Sequence, residues 1–437
     1  MTRDPREILA YERMRPAQVV AVALSVVLNA LDGFDVLAIS FASPGIAKEW
    51  GIDRGALGIV LSMELIGMAL GSVALGNVAD RIGRRRTILG CLVVMAGGML
   101  LARWASGVEQ MSVYRFITGL GIGGMLAAIN AVAAEFSNNR RRNMAVTLMA
   151  AGYPLGAIVG GTIAAQLLAA GSWRSVFTFG AIATAACIPL VWFLLPESIG
   201  YLMQRRPPNA LQRINAILTR LGHKTVAVLP EVTAQQAARR GSILDLFAPQ
   251  YARMTVLLTV AYFAHIMTFY FTLKWIPKIV VDMGFDPSSA GGVLVWANVG
   301  GASGAIVFSL LTQRLGLRYL VIGTFVGTAI MVTLFGRSDP DLRELALLAG
   351  IAGFFSNAAI VGLYAMFAQS FPTALRATGT GFVIGTGRAG AALGPIAAGF
   401  LFVAGATLPA VAFMMALGSL LAAVAILMLK YQETNVL

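Results

Sequence analysis

The chain has 437 residues, of which 58% are hydrophobic and 12% charged, with a formal net charge of +13. A water-soluble domain carries roughly twice that charged share, so this composition cannot cover a water-facing surface and points to lipid as the solvent. Within lipid only helices or closed barrels satisfy their backbone groups. The apolar runs here are long and continuous rather than alternating, which excludes a barrel.

In chain order, the start MTRDPREILAYERMRP is polar and is not a cleavable leader, because the first apolar run is too long for one. Twelve apolar windows of spanning length follow. Six lie near 17–44, 55–78, 87–106, 110–135, 143–170 and 175–195. A polar stretch from about 199 to 252 then carries Arg205, Arg206, Arg213, Arg239 and Arg240, with an amphipathic helix expected near 209–221. Six more windows lie near 254–277, 289–312, 319–336, 342–368, 377–404 and 407–429. The expected division is an N-terminal six-helix bundle (1–198), a linker (199–252) and a C-terminal six-helix bundle (253–437).

Lys and Arg are distributed unevenly between alternate loops. One side holds the N-terminus, Arg81, Arg84–Arg86, Arg140–Arg142, the linker, Arg314, Arg318, Arg376 and Lys430. The other holds Lys48, Arg54, Arg103, Arg174, Lys278, Arg337 and Arg343. The richer side is expected to be cytoplasmic, with both termini inside. The positive charge is then a topology signal, and no nucleic-acid partner is expected. Cys91 and Cys187 fall inside apolar runs and supply no disulfide or metal framework. No nucleophile–base set, metal cluster or nucleotide loop supports an enzyme, no cofactor is called for, and the chain is read as a monomer in a bilayer.

The two halves echo each other. Asp80-Arg81-Ile82-Gly83-Arg84-Arg85 matches Gln313-Arg314-Leu315-Gly316-Leu317-Arg318, Gly156 and Gly160 match Gly390 and Gly394, and Arg142 matches Arg376. A duplicated six-plus-six chain places its binding site between the halves near mid-membrane.

The loop Gly76-Asn77-Val78-Ala79-Asp80-Arg81-Ile82-Gly83-Arg84-Arg85-Arg86 resembles the signature of the major facilitator superfamily, and the resemblance covers nearly the whole chain. The fold it implies is an all-α membrane protein of twelve helices in two pseudo-symmetric bundles. Asp32-Gly33-Phe34-Asp35 with Ser43-Pro44, Phe371-Pro372-Thr373, Arg376-Ala377-Thr378-Gly379 and Gly387-Arg388-Ala389-Gly390 are similar to motifs of the aromatic acid/proton symporter family. That resemblance implies uptake of a small aromatic carboxylic acid, such as a hydroxybenzoate, together with protons. The competing readings are a non-aromatic acid symporter and a proton-coupled exporter. The exporters usually show Gly-Pro where this chain has Gly156-Ala157.

Six ionisable residues are expected deep in the membrane rather than at span ends: Asp32, Asp35, Glu64, Arg115, Lys274 and Arg388. Each costs about 2.5–3.5 kcal/mol at the bilayer centre on insertion scales and is a functional candidate by default. Asp32 and Asp35 lie one turn apart on one helix face, and neighbouring carboxylates away from water favour holding a proton. The resemblance ties both to proton coupling, and it does the same for Arg115 at the head of a Gly-rich fourth span. Glu64 is grouped with them, without a family role.

Arg388 sits among small residues and suits a carboxylate bidentately. Lys274 departs from the family, which has a small or amide residue there, and is either a second anion contact or a snorkelling side chain. Phe34, Tyr153, His265, Tyr270, Trp275, Asn298, Asn357 and Tyr364 are further candidates to line the cavity, although aromatic residues on a span more often pack. Asp80, Arg81, Gly83, Arg84, Glu135, Arg142 and Arg376 are expected to form the gate. The resemblance implies that Asp80 joins the halves, near the start of span eleven, when the carrier faces outward.

Overall fold

The structure is a computed structural model that describes residues 4–230, 243–312, 314–372 and 375–429, with the backbone alone at Asn77 and Ala377. Arg239, Arg240, Gln313, Thr373 and Lys430 lie outside the described residues. Among these residues twelve helices are long and apolar enough to span a membrane. Preceded by a short helix α1 (Pro5–Tyr11), they begin with α2 (Pro16–Trp50), α3 (Arg54–Ile82), α4 (Arg84–Arg103), α5 (Val108–Glu135), α6 (Arg142–Ala170) and α7 (Arg174–Leu194). After α8 (Ile199–Arg205) and α9 (Ala210–Arg220) come α10 (Pro249–Asp282), α11 (Pro287–Leu311), α12 (Leu317–Phe335), α13 (Leu342–Ser370), α14 (Arg376–Val403) and α15 (Leu408–Met428).

The first span is longer than its apolar window, because it continues through Pro44. Proline leaves the carbonyl four residues earlier without its amide, and in lipid that carbonyl needs another donor. Ser43 Oγ donates to Ser40 O at 2.9 Å and supplies it. Pro154 in α6 is handled from the neighbouring helix. Asn29 Nδ2 lies 3.4 Å from Ala150 O, the carbonyl that Pro154 frees, and 2.7 Å from Met149 O.

Small residues let the backbones approach, as helix packing in lipid requires. A β-carbon at Gly33 would overlap the Tyr153 carbonyl, and one at Gly156 the Ala30 carbonyl, so α2 and α6 lie against each other. Gly390 and Gly394 meet the Phe263 and Met267 carbonyls in the same way, which joins α10 to α14. The repeat of this packing shows the pseudo-symmetry between the halves.

The halves touch mainly through α3 with α14 and α6 with α11. The close approaches fall at the ends of these helices far from the chain termini. Gly58 abuts Pro395, Gly399 abuts Arg54 and Gly55, and Gly161 lies beside Phe41 and Val295. Leu37, Phe41, Leu57, Val60, Trp275, Ile276, Val293 and Leu294 are buried in one apolar cluster there. On the terminal side a collar of α1, α8 and α9 packs beneath the first half. His223 binds Glu12 at 2.8 Å and Gln18 at 2.9 Å, and Gln18 donates to Phe136 O at 3.1 Å.

Candidate functional site

Between the terminal-side halves of α3, α13 and α14 lies a cavity of about 740 Å³, lined by Ser72, Tyr364, Arg376, Gly381, Gly385 and Arg388, among others. Arg376 starts α14 at the mouth, and Arg388 lies twelve residues further in, about 18 Å along the helix axis. Small residues at 381 and 385 leave the space in front of Arg388 free. Arg388 Nη1 donates to Met68 O at 2.9 Å. No ion pair joins Arg388 to a carboxylate among the described residues, so its charge is available to an anion in the cavity. Tyr364 is 43% exposed on the cavity wall, and its hydroxyl meets Tyr262 at 3.1 Å.

The two aspartates part company. Asp32 is buried, and neither of its carboxylate oxygens has a hydrogen-bond partner among the described residues. Arg388 is near enough to act on it electrostatically without pairing. Asp35 turns into the first bundle, where Thr184 lies 3.4 Å from one oxygen while the other has no partner. Tyr153 and Tyr270 approach each other across the halves, and Tyr153 lies near Asp32.

Glu64, Arg115 and Lys274 form one fully buried cluster. Arg115 pairs with Glu64, donates to the Asp35 main-chain carbonyl at 2.7 Å, touches Met99 Sδ at 2.9 Å and stacks on Phe177 at 5.6 Å. Arg115 is therefore in the protein core. Lys274 Nζ lies 3.5 Å from Glu64 and donates to the Val36 main-chain carbonyl. It does not snorkel, and in this state it is not free to contact a substrate.

Five expected cavity residues stand elsewhere. His265 is fully buried between Ser419 (3.0 Å) and the Ser356 carbonyl (2.9 Å), with Phe325 against its ring at 4.9 Å. Its ring nitrogens are both engaged within the second half. Phe34 packs edge-on against Phe179 at 5.2 Å inside the first half. Trp275 is fully buried, donates to Pro395 O at 3.2 Å and lies against Phe402. Asn298 donates to Leu294 O on its own helix at 2.8 Å. Asn357 bridges to Gly301 O at 2.7 Å, which ties α13 to α11. In each case an apolar or engaged environment satisfies the side chain without a ligand.

The terminal-side charges are also arranged within one half. Asp80 pairs with Arg84 at 2.9 Å, and Arg84 reaches Glu135 at 3.5 Å. Arg376 donates to the Phe371 carbonyl at 3.4 Å. Arg81 contributes its main-chain carbonyl to Tyr201 at 3.3 Å, and Arg142 lines a small cleft beneath α1 beside Glu135. The expected Asp80 contact with the start of α14 is absent among the described residues, and the cavity between α3, α13 and α14 opens on this side.

Sequence reasoning missed Glu197 and Ser198. Glu197 accepts from the amides of Arg85 (3.2 Å) and Ser198 (2.9 Å), and Ser198 Oγ binds Glu135. The only signal was an acid at the end of span six facing a basic loop. Gly83 has φ +105, and a β-carbon there would collide with Glu197.

A sequence model of the major facilitator superfamily matches residues 25–293 and again 258–435. The chain is 32% identical over 434 residues to the gallate transporter of Pseudomonas putida, covering 97% of this chain and 93% of that one. It is 32% identical over 386 residues to the 4-hydroxybenzoate transporter of the same organism, covering 85% and 84%. Among solved structures, the xylose transporter XylE of E. coli superposes with a TM-score of 0.74 at 16% identity, covering 95% of this chain and all of that one. The chain belongs to the major facilitator superfamily and, within it, to the aromatic acid transporter family. It is a multi-pass membrane transporter and not an enzyme.

Proposed function

We propose that this transporter takes up a small aromatic carboxylic acid of the hydroxybenzoate type together with protons, with its termini and its open cavity on the cytoplasmic side of the inner membrane. The orientation rests on the excess of Lys and Arg in the loops of the terminal side. The cargo rests on the relatives' named substrates and on a lone guanidinium at the deep end of a cavity large enough for a single ring.

Asp32 carries the proton-coupling proposal. An ionised carboxylate held away from water without a donor is expensive, so a proton belongs there while the site is dry and leaves when water from the inward-facing cavity or Arg388 reaches it. The proposed cycle starts with protonation from outside. The acid's carboxylate then docks on Arg388, the ring rests among Tyr364, Tyr270 and Tyr153, and the halves rock. Proton loss to the cytoplasm lets Asp32 compete for Arg388 and expels the acid. Asp35 adjusts Asp32 through Arg115, and Asp80 with Arg84, Arg81, Gly83, Glu135, Arg142 and Arg376 closes the cytoplasmic end in the alternate state.

Vesicles containing the purified protein and an imposed pH gradient test this reading. Labelled 4-hydroxybenzoate should accumulate, benzoate and gallate should compete, and acids without a ring should not. Asp32→Asn should retain exchange of acid but lose accumulation against its gradient. Full accumulation by that variant, or competition by non-aromatic acids alone, would overturn the proposal.

A further inference from the structure

The cluster of Glu64, Arg115 and Lys274 is divided unequally between the halves. Glu64 on α3 and Arg115 on α5 both belong to the first half and pair with each other. Lys274 on α10 belongs to the second, yet its two partners, Glu64 and the Val36 carbonyl on α2, both lie in the first. Lys274 stands eight residues from the end of α10 and Glu64 ten residues from the start of α3, so the contact lies about 12–15 Å from the far ends of these helices. That is the end where the halves are sealed.

We infer that Lys274 is a latch that holds the far face closed, and that its contacts with Glu64 and Val36 set the balance between the two facing states of the carrier. This goes beyond the choice of cargo and does not depend on it. Parting the halves at the far face strips Lys274 of both partners at once, while Glu64 keeps Arg115. A buried ammonium that loses its partners is unfavourable until water or another anion replaces them. The cost of opening the far face therefore falls on one side chain. Among the described residues the other ionic contact across this face, Arg54 with Asp282 at 2.7 Å, is partly exposed and worth little by comparison. Lys274 is thus a positioning residue that acts through the orientation of the halves.

Spin labels at Lys48→Cys and Asp286→Cys, exposed positions on the far ends of the two halves, read the opening directly. Cys91 and Cys187, the two native thiols, are replaced by alanine. The full-length protein is measured in lipid without any acid present. The parent should show a dominant short distance. Lys274→Met and Glu64→Gln should each move most of the population to a longer distance, and the double variant should move it no further than either alone. Asp282→Asn should change it little. A role confined to folding would lower the yield of monodisperse protein without shifting the distances in what remains. Glu64→Gln keeps an acceptor for Arg115 and so provides a folded variant if Lys274→Met is lost. Unchanged distance distributions in the folded single variants, or additive shifts in the double variant, would overturn the latch.

Discussion

Asp32 and Asp35 are one helical turn apart and meet different surroundings. Asp35 leans on Thr184, whereas among the described residues Asp32 has no donor and Arg388 bonds one main-chain carbonyl. A charged hydrogen bond contributes roughly 1.5–3 kcal/mol, and each 1.4 kcal/mol is tenfold in affinity. Arg388→Gln should therefore raise the apparent KM for acid uptake about 10–100-fold while the protein still reaches the membrane. An unchanged KM in vesicle uptake would remove Arg388 as the anchor. His265 gives the opposite expectation. His265→Ala leaves Ser419 and the Ser356 carbonyl without their partner, at about 1–3 kcal/mol. The melting temperature in detergent should drop, with KM unaltered. The charged residues were legible in the sequence because charge in lipid is conspicuous wherever it points. Phe34, Trp275 and Asn298 were not, because a spanning helix is apolar toward lipid and toward protein alike. Periodicity then does not say which face looks into a cavity.

At the scale of helices, glycine decides how closely neighbours pack. Gly156 lies against the Ala30 carbonyl on α2, and the backbone itself obstructs any side chain. Gly156→Leu should therefore abolish monodisperse protein in size-exclusion chromatography, whereas Gly97→Leu, in open space on α4, should be tolerated. The turn between α3 and α4 depends on Gly83 twice, for its positive φ and for room beside Glu197. Gly83→Ala should weaken the Glu197 contacts to the Arg85 and Ser198 amides and reduce transport rate more than substrate affinity, as a Vmax-against-KM comparison would show. The twelve spans were legible because length and hydropathy suffice for them. The extension of α2 through Pro44 was not. It depends on Ser43 returning a hydrogen bond to Ser40, a local repair that apolar windows do not register.

For the whole molecule, the six ionisable side chains deep in the spans sum to zero if all are ionised: Asp32, Asp35 and Glu64 against Arg115, Lys274 and Arg388. They are not shared evenly. The first half holds all three acids and one cation, and the second holds two cations. On the proposed reading an anion therefore goes to the second half and a proton to the first, and one of each leaves the charge within the spans balanced. Uptake should then follow the pH gradient and ignore a potassium diffusion potential imposed on the vesicles. Accumulation that grows with an inside-negative potential would show that more than one proton accompanies each acid.

The sequence alone determined that this chain lives in lipid, crosses it twelve times, repeats itself in two halves and carries six ionisable side chains deep in its spans. These are properties of composition and order along the chain, and no packing is needed to read them. The tertiary structure decided which charges pair and which stand alone. Glu64 gathers Arg115 and Lys274 while Asp32 is left without a donor, because partners come from helices far apart in sequence, and their meeting depends on helix rotation and on which end of the halves is closed.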